Sequence, residues 1–168
     1  CGHLPSLDFR ELAERLTATR ADGRWPFSCS LDLTAACNFH CRHCYMRPYR
    51  DEPELSTSER VRILREIADA GCLFLLMTGG EPLLRPDFLE LYRTARELGL
   101  VTTVFTNGAL VTERIARALA ERPPLWVEVS LYGASETTTH RVTGCAGVHE
   151  AAVRGVRLLV AAGLPVQI

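Results

Sequence analysis

The sequence has no hydrophobic run long enough to cross a membrane, and it has no surplus of charge of either sign. The longest apolar stretches, Leu73 to Met77 and Leu158 to Ala162, are far shorter than the roughly 20 residues of a transmembrane helix. The 19 Lys and Arg residues are balanced by 20 Asp and Glu residues, which gives a formal net charge of −1. This mixture provides no basic stripe for a nucleic acid. We therefore expect neither a membrane nor a nucleic acid as a partner.

The sequence also lacks the signs of a secreted, disulfide-rich protein. The first residues, Cys1 to Pro5, do not combine a basic segment with an apolar one, as a secretory signal would. The seven cysteines are odd in number and three are clustered, so a disulfide framework is not expected. We predict a soluble, cytoplasmic protein. Cys29 and Cys72 lie in apolar runs and are expected to be buried, whereas Cys145, like Cys1, is interpreted as a free thiol rather than a spare metal ligand.

Helical and strand-like patterns alternate along the chain, which predicts a parallel α/β fold with right-handed crossovers. An amphipathic helix is predicted from Leu7 to Thr19, within an N-terminal extension of residues 1–27. The main domain is predicted to span residues 28–168. Its expected strands are residues 27–34, 72–77, 100–105, 125–131 and a last one that begins near 164. Four helices are expected in this domain. The first spans residues 56–70 and begins with a capping box, the second begins at residue 86, and the others span residues 112–120 and 149–162.

Three cysteines, Cys37, Cys41 and Cys44, form a Cys-x3-Cys-x2-Cys array. They can converge on one metal centre only if the chain wraps around it as a loop. Thiolates bind iron–sulfur clusters and structural zinc, and the spacing alone also allows a zinc site with His40 or His43 as the fourth ligand. In a four-iron cubane, three cysteines would leave one iron free to bind another molecule.

Three further motifs each follow a predicted strand. Gly79-Gly80-Glu81-Pro82 follows the second strand, Thr106-Asn107-Gly108 the third, and Ser130-Leu131-Tyr132-Gly133 the fourth. The carboxyl ends of parallel strands share one edge of the sheet, where ligands bind in such folds. We therefore expect these motifs and the cysteines to form one site.

The residue types in these motifs suggest how a ligand would be held. Gly79-Gly80 would permit close approach of the backbone to a ligand. Pro82 favours an extended conformation for Glu81, whose carboxylate would suit a cationic amino group. Asn107 can adopt left-handed backbone angles. Ser130 offers a hydroxyl group at the edge of the site.

Together, the cysteine array and the three motifs resemble the radical S-adenosylmethionine (radical SAM) enzymes. The similarity runs from about Ser28 to Ile168 and is closest to the peptide-modifying branch that carries a SPASM-type extension. It implies that the sheet curls into a partial (β/α)6 TIM-like barrel, of which this chain would hold somewhat more than four units. The similarity to the SPASM-type branch lies in the stretch from Ser130 to Gly144.

The resemblance also implies the cofactors. A 4Fe–4S cluster would be bound by Cys37, Cys41 and Cys44, and the amino and carboxylate groups of S-adenosylmethionine would bind its fourth iron. Reductive cleavage of S-adenosylmethionine would give a 5′-deoxyadenosyl radical that abstracts hydrogen from a substrate, which is chemistry that side chains cannot supply. His43 would lie near the adenine. The expected cofactor-binding residues are His43, Gly79, Gly80, Glu81, Asn107 and Ser130.

The expected partners are a peptide or small-molecule substrate and a reducing electron donor such as flavodoxin or ferredoxin. Two alternatives stay open: a radical SAM enzyme of cofactor biosynthesis that acts on a nucleotide, and a zinc-binding structural module. Tyr132, Arg141 and Thr143 are placed in a predicted loop that would either contact a substrate or only cap the next helix, and His140 and His149 are placed on the surface. Because the chain starts without Met and ends as a strand begins, we expect an N-terminal piece that binds a cluster but is inactive by itself.

Overall fold

The computed structural model describes residues 26–46, 49 and 53–168. The predicted helix from Leu7 to Thr19 and the residue Cys1 lie outside these residues. In the described part, five parallel strands form one sheet in the order β1-β2-β3-β4-β5. The strands are β1 Ser28–Asp32, β2 Phe74–Thr78, β3 Val101–Thr106, β4 Trp126–Val129 and β5 Val166–Gln167.

Helices connect the successive strands. They are α1 Thr57–Asp69, α2 Phe88–Glu97, α3 Glu113–Glu121, α4 Glu136–Thr143 and α5 Val148–Ala161, and a short 3-10 helix, Pro82–Leu84, follows β2. The alternation confirms the predicted parallel α/β fold. Since β1 and β5 are the outer strands of the described sheet, the sheet is not closed and forms part of a barrel.

The two faces of the sheet have different surroundings, because side chains alternate between the faces along each strand. Strand residues on one face pack against the helices and are almost completely buried. They include Leu75, Met77, Val104 and Val127, which join Leu64, Leu91, Leu119 and Leu159 from the helices in one core. The opposite face carries Ser30, Leu76 and Phe105, which are half-buried or exposed. This second face is open and provides the floor of the site described below.

The start of α1 follows the sequence prediction. The hydroxyl of Ser56 accepts a hydrogen bond from the amide of Glu59 at 3.3 Å, and the Glu59 carboxylate accepts one from the amide of Ser56 at 2.8 Å. Two of the amides that have no partner inside the helix are thereby satisfied. The predicted capping box is confirmed, and Ala70 caps the other end of the helix.

Helix α4 was not predicted from the sequence. It contains Arg141 and Thr143, which were expected in a loop, and this expectation is wrong. The three consecutive threonines of α4 are β-branched and have low helix propensity, which hides the helix from a pattern search. Its ends carry signals that could have shown it. Ser135 accepts a hydrogen bond from the amide of Thr138, and Gly144 ends the helix in the left-handed conformation with φ of 70°.

None of the helices in the described ranges is long and apolar enough to cross a membrane.

Helix α5 packs so closely on the turn after β3 that a methyl group does not fit between them. A Cβ atom at Gly155 would lie 2.0 Å from the carbonyl oxygen of Gly108. We predict that Gly155→Ala lowers the free energy of unfolding by about 1–3 kcal/mol, although alanine favours helices more than glycine does. Arg154→Ala, at an exposed position of the same helix, is the control for urea denaturation. Equal stability of the two variants would show that the packing is loose.

Candidate metal and cofactor site

The three clustered cysteines lie in a segment without helix or strand, residues 34–46, which we call the cysteine loop. It begins where β1 ends, and the amide of Leu33 still donates to the carbonyl of Thr78 at 2.8 Å. Cys37, Cys41 and Cys44 are half-buried and line one cavity of about 310 Å³ above the open face of the sheet. The structure therefore brings the three thiols to one place, as the spacing predicts.

The three thiols are close enough to affect each other electrostatically. The pKa of the Cys41 thiol is raised from 9.0 to about 11, mainly by burial and in addition by the neighbouring Cys37 and Cys44, because like charges repel. Metal ions remove this penalty because they bind the thiolate form and displace the proton. The cavity thus contains a set of donors suited to a thiophilic metal centre.

A cluster suits this donor set better than one zinc ion does. Within the ranges that the structure describes, no three His, Cys, Asp or Glu side chains are arranged to hold a single metal ion. A structural zinc ion needs four ligands around one point. The cysteine ligands of an iron–sulfur cubane bind different irons, so they need not meet at one point. The described residues therefore contain no ligand set for a single zinc ion, and three thiols that line one cavity are donors of the type that a cluster uses.

Gly79 and Gly80 approach the cysteine loop more closely than any side chain would allow. A Cβ atom would lie 2.4 Å from the carbonyl oxygen of Thr34 at Gly79, and 2.2 Å from that of Ala36 at Gly80. The amide of Gly80 donates to Thr34 at 2.7 Å, and the amide of Glu81 donates to Ala36 at 2.9 Å. Both glycines also line the cavity. Their small size therefore fixes the loop as well as leaving room for a ligand.

The side chain of Glu81 has a different position from the one expected. It is fully buried and does not line the cavity. Its carboxylate accepts three hydrogen bonds, from the Thr106 hydroxyl at 2.8 Å, the Asn107 amide at 2.7 Å and the Leu83 amide at 3.0 Å. Burial raises its pKa, although these three bonds act in the opposite direction. In this structure the side chain joins the ends of β2 and β3, and the contact expected between Glu81 and a ligand amine stays a prediction. Its backbone is extended, as predicted from Pro82.

Asn107 connects this buried carboxylate to the cysteine loop. Its side-chain amide donates to the Asn38 side chain at 2.7 Å and lies 4.0 Å from the sulfur of Cys37. The residue is buried and lines the cavity. Asn107 does not use the left-handed conformation that its residue type permits. Within the described residues only glycines have positive φ angles, and in this turn Gly108 has φ of 76°.

Ser130, His43 and Tyr132 line the same cavity from the sides of β4 and the cysteine loop. The rings of His43 and Tyr132 meet edge to face, with their centroids 5.1 Å apart. Burial raises the pKa of Tyr132, and a hydrogen bond with Ser130 lowers it. The sequence places Tyr132 in the loop of the fourth strand-end motif without a role in binding the cofactor, and the structure places its side chain in the cavity wall. Its position two residues after the strand-end serine, Ser130, was the available signal.

A charged network holds the first residues of the cysteine loop. The Glu54 carboxylate accepts hydrogen bonds from the Thr34 hydroxyl and, at 3.2 Å, from the Ala35 amide. It also pairs with Arg85 at 2.7 Å and with Arg60 at 3.7 Å. Partial burial would raise the pKa of Glu54, but the Thr34 and Ala35 bonds and the Arg85 charge lower it overall. Nothing in the sequence distinguishes Glu54, because a single glutamate after the cysteine array has no characteristic spacing.

The other cysteines and histidines that the structure describes lie outside the cavity wall. Cys72 is buried, as expected, and Cys29 is half-buried. The Cys145 thiol points to the Asn38 carbonyl oxygen at 3.7 Å, so it contacts the cysteine loop without lining the cavity. His149 was expected on the surface without a partner; it is half-buried, and its ring lies 3.2 Å from the Thr139 hydroxyl.

The chain has extensive similarity to known proteins. The family model of the Radical SAM superfamily matches residues 31–168. An AdoMet-dependent heme synthase of Methanosarcina barkeri is 36% identical over 139 residues, which cover 82% of this chain and 40% of that protein. A PqqA peptide cyclase of Rhodopseudomonas palustris is 38% identical over 126 residues, 74% of this chain and 33% of its own. The mycofactocin maturase MftC of Mycobacterium tuberculosis is 36% identical over 141 residues, 82% of this chain and 35% of its own.

Solved structures share the fold. Streptococcus suis SuiB bound to the precursor peptide SuiA superposes with a TM-score of 0.76 at 20% identity, over 99% of this chain and 39% of that one. The anSMEcpe structure with bound AdoMet and a Cp18Cys peptide gives a TM-score of 0.70 at 20% identity, over 85% of this chain and 42% of that one. The chain thus spans 33–40% of the length of the three curated relatives named above.

The buried carboxylate of Glu81 gives a test that needs no ligand. Glu81→Ala would leave three buried donors without an acceptor, and we predict a loss of about 3 kcal/mol or more in the free energy of unfolding. Glu81→Gln should lose less, since one acceptor oxygen remains. Glu90→Ala, at an exposed position of α2, should stay within about 0.5 kcal/mol of the parent. Denaturant titration of the metal-free protein measures all three. A Glu81→Ala variant as stable as Glu90→Ala would contradict the structural role.

Proposed function

The chain belongs to the radical SAM superfamily, and we propose that it is the part of such an enzyme that binds a 4Fe–4S cluster and S-adenosylmethionine. The observation that carries the proposal is the single cavity shared by the three cysteines and the strand-end motifs. Cys37, Cys41 and Cys44 would hold the cluster. When bound, the cluster would supply the electron for reductive cleavage of S-adenosylmethionine and the start of hydrogen abstraction from a substrate.

The other cavity residues would bind and orient the S-adenosylmethionine molecule. Gly79 and Gly80 expose backbone next to the cysteine loop, where the methionine end would lie. Ser130 offers a hydroxyl for the ribose or carboxylate, and His43 with Tyr132 offers an aromatic surface for the adenine. Asn107 would act mainly through the loop, because its side-chain amide is already committed to Asn38. These assignments extend the site residues expected from the sequence, with Glu81 contributing through its backbone.

We propose a peptide or protein as the substrate of the whole protein. Support comes from the PqqA peptide cyclase and the mycofactocin maturase among the relatives, and from the peptide-bound SuiB structure with the same fold. A tetrapyrrole is a second candidate, because an AdoMet-dependent heme synthase and an Fe-coproporphyrin III synthase are equally similar in sequence. The proposed electron donor is a reduced flavodoxin or ferredoxin, in the cytoplasm, where thiols stay reduced.

Cysteine variants test the metal centre. We predict that Cys37→Ala, Cys41→Ala or Cys44→Ala each prevents stable cluster assembly after anaerobic reconstitution, because two thiolates hold a cubane poorly. Cys72→Ala is the matched control, since its thiol is buried in the core away from the cavity, and it should keep the parent content of iron and sulfide. Iron and acid-labile sulfide analysis and the visible charge-transfer absorbance measure the outcome. Equal loss in the Cys72 variant, or zinc in place of iron in the parent, would contradict the assignment.

The substrate class needs the full-length protein. Reduced, cluster-loaded protein should produce 5′-deoxyadenosine from S-adenosylmethionine, and a peptide substrate should increase that production and gain a mass change of its own. The experiment compares two kinds of substrate under identical anaerobic conditions. One is a set of candidate peptides encoded next to the gene, and the other is iron coproporphyrin. Modification of the porphyrin alone would favour the tetrapyrrole and reject the peptide.

A further inference from the structure

We infer that the C-terminal turn of α4, residues 142–145, is a positioning element that holds the cysteine loop in the shape needed for metal binding. The inference rests on the proposed function, since it assigns a role to the segment that supports the proposed ligands. The four residues themselves lie outside the cavity wall, so they would act through the loop rather than on the cofactor.

The turn and the loop are joined by their backbones. The amide of His40 donates to the Thr143 carbonyl at 2.9 Å, and the amide of Arg42 donates to the Val142 carbonyl at 3.0 Å. The last carbonyl groups of a helix have no partner within the helix. The cysteine loop therefore provides hydrogen-bond donors for two of the last carbonyl groups of α4. These carbonyl groups in turn bind the two loop amides on either side of Cys41.

Side chains and close packing strengthen this junction. Thr143 is fully buried, and its hydroxyl donates to the Thr139 carbonyl at 2.8 Å and accepts from the Cys145 amide at 3.2 Å. These bonds fix the turn that follows the helix. A Cβ atom at Gly144 would lie 3.1 Å from the carbonyl oxygen of His40. The turn thus has little freedom to move without moving the loop.

The position of α4 also links two sides of the cavity. The helix follows β4, and the residues between them, including Ser130 and Tyr132, line the cavity. The negative end of the helix dipole lies at the cysteine loop, where it disfavours added negative charge. A displaced turn should therefore loosen the loop and make reduction of a bound cluster easier.

Two glycines with the same backbone conformation provide a matched pair. Gly144 and Gly147 have φ angles of 70° and 74°, so alanine strains the backbone at both. A Cβ atom at Gly147 meets nothing within 4 Å, whereas one at Gly144 presses on His40. We expect similar decreases in melting temperature for Gly144→Ala and Gly147→Ala. Only Gly144→Ala should change the conformation of the cysteine loop.

Hydrogen exchange of the metal-free, full-length protein measures the loop directly. Peptides covering residues 38–46 should exchange at least tenfold faster in Gly144→Ala than in the parent, and at the parent rate in Gly147→Ala. After reconstitution, Gly144→Ala should lose its cluster to a chelator at least fivefold faster and show a more positive midpoint potential. These readouts separate positioning from a general loss of stability, which the two variants share.

A second pair covers the case in which Gly144→Ala does not fold. Thr143→Val removes the hydroxyl bonds of the turn, and Thr143→Ser keeps them, so only the valine variant should show the faster exchange. Equal exchange of the loop in both members of each pair would overturn the inference. Exchange as predicted in a protein that binds no iron would uphold the positioning of the loop and reject the proposed metal centre.

Discussion

The cysteine loop has no helix or strand of its own, so its shape depends on hydrogen bonds with the segments around it. The Gly80 and Glu81 amides hold its first residues, Asn107 holds Asn38, and the end of α4 holds the amides on either side of Cys41. Each contact comes from a segment at the carboxyl edge of the sheet or just beyond it. The parallel fold is therefore what brings these segments within reach of one loop, and the loop in turn brings three thiols to one cavity.

A buried carboxylate connects these contacts. Glu81 is fully buried, and its acceptor oxygens are used by donors from β3 and the turn after β2. Burial of a carboxylate is costly unless it is fully hydrogen-bonded. The hydrogen bonds of Glu81 therefore hold the ends of β2 and β3 together. The tetrad that was interpreted as a ligand site thus has a structural part, the glutamate side chain, and a part that faces the cavity, the two glycines.

Much of this arrangement could be predicted from the sequence, because the strand periodicity and the strand-end motifs are local signals. The strands, the capping box at Ser56 and the convergence of Cys37, Cys41 and Cys44 follow from such signals. The direction of the Glu81 side chain could not be predicted, since it depends on donors about 25 residues away in the chain. Helix α4 was missed because its threonines have low helix propensity, and its tertiary contacts, which include hydrogen bonds with the cysteine loop, cannot be seen in a local pattern.

We propose as the central claim that Cys37, Cys41 and Cys44 would hold the cluster and would leave one iron for the amino and carboxylate groups of S-adenosylmethionine. Electron–nuclear double resonance on the reduced, full-length protein tests it most directly, with S-adenosylmethionine labelled by ¹⁵N in the amino group and ¹⁷O in the carboxylate. The account predicts hyperfine coupling of both labels to the cluster. A well-formed cluster signal that shows no coupling to either label at saturating S-adenosylmethionine would contradict it.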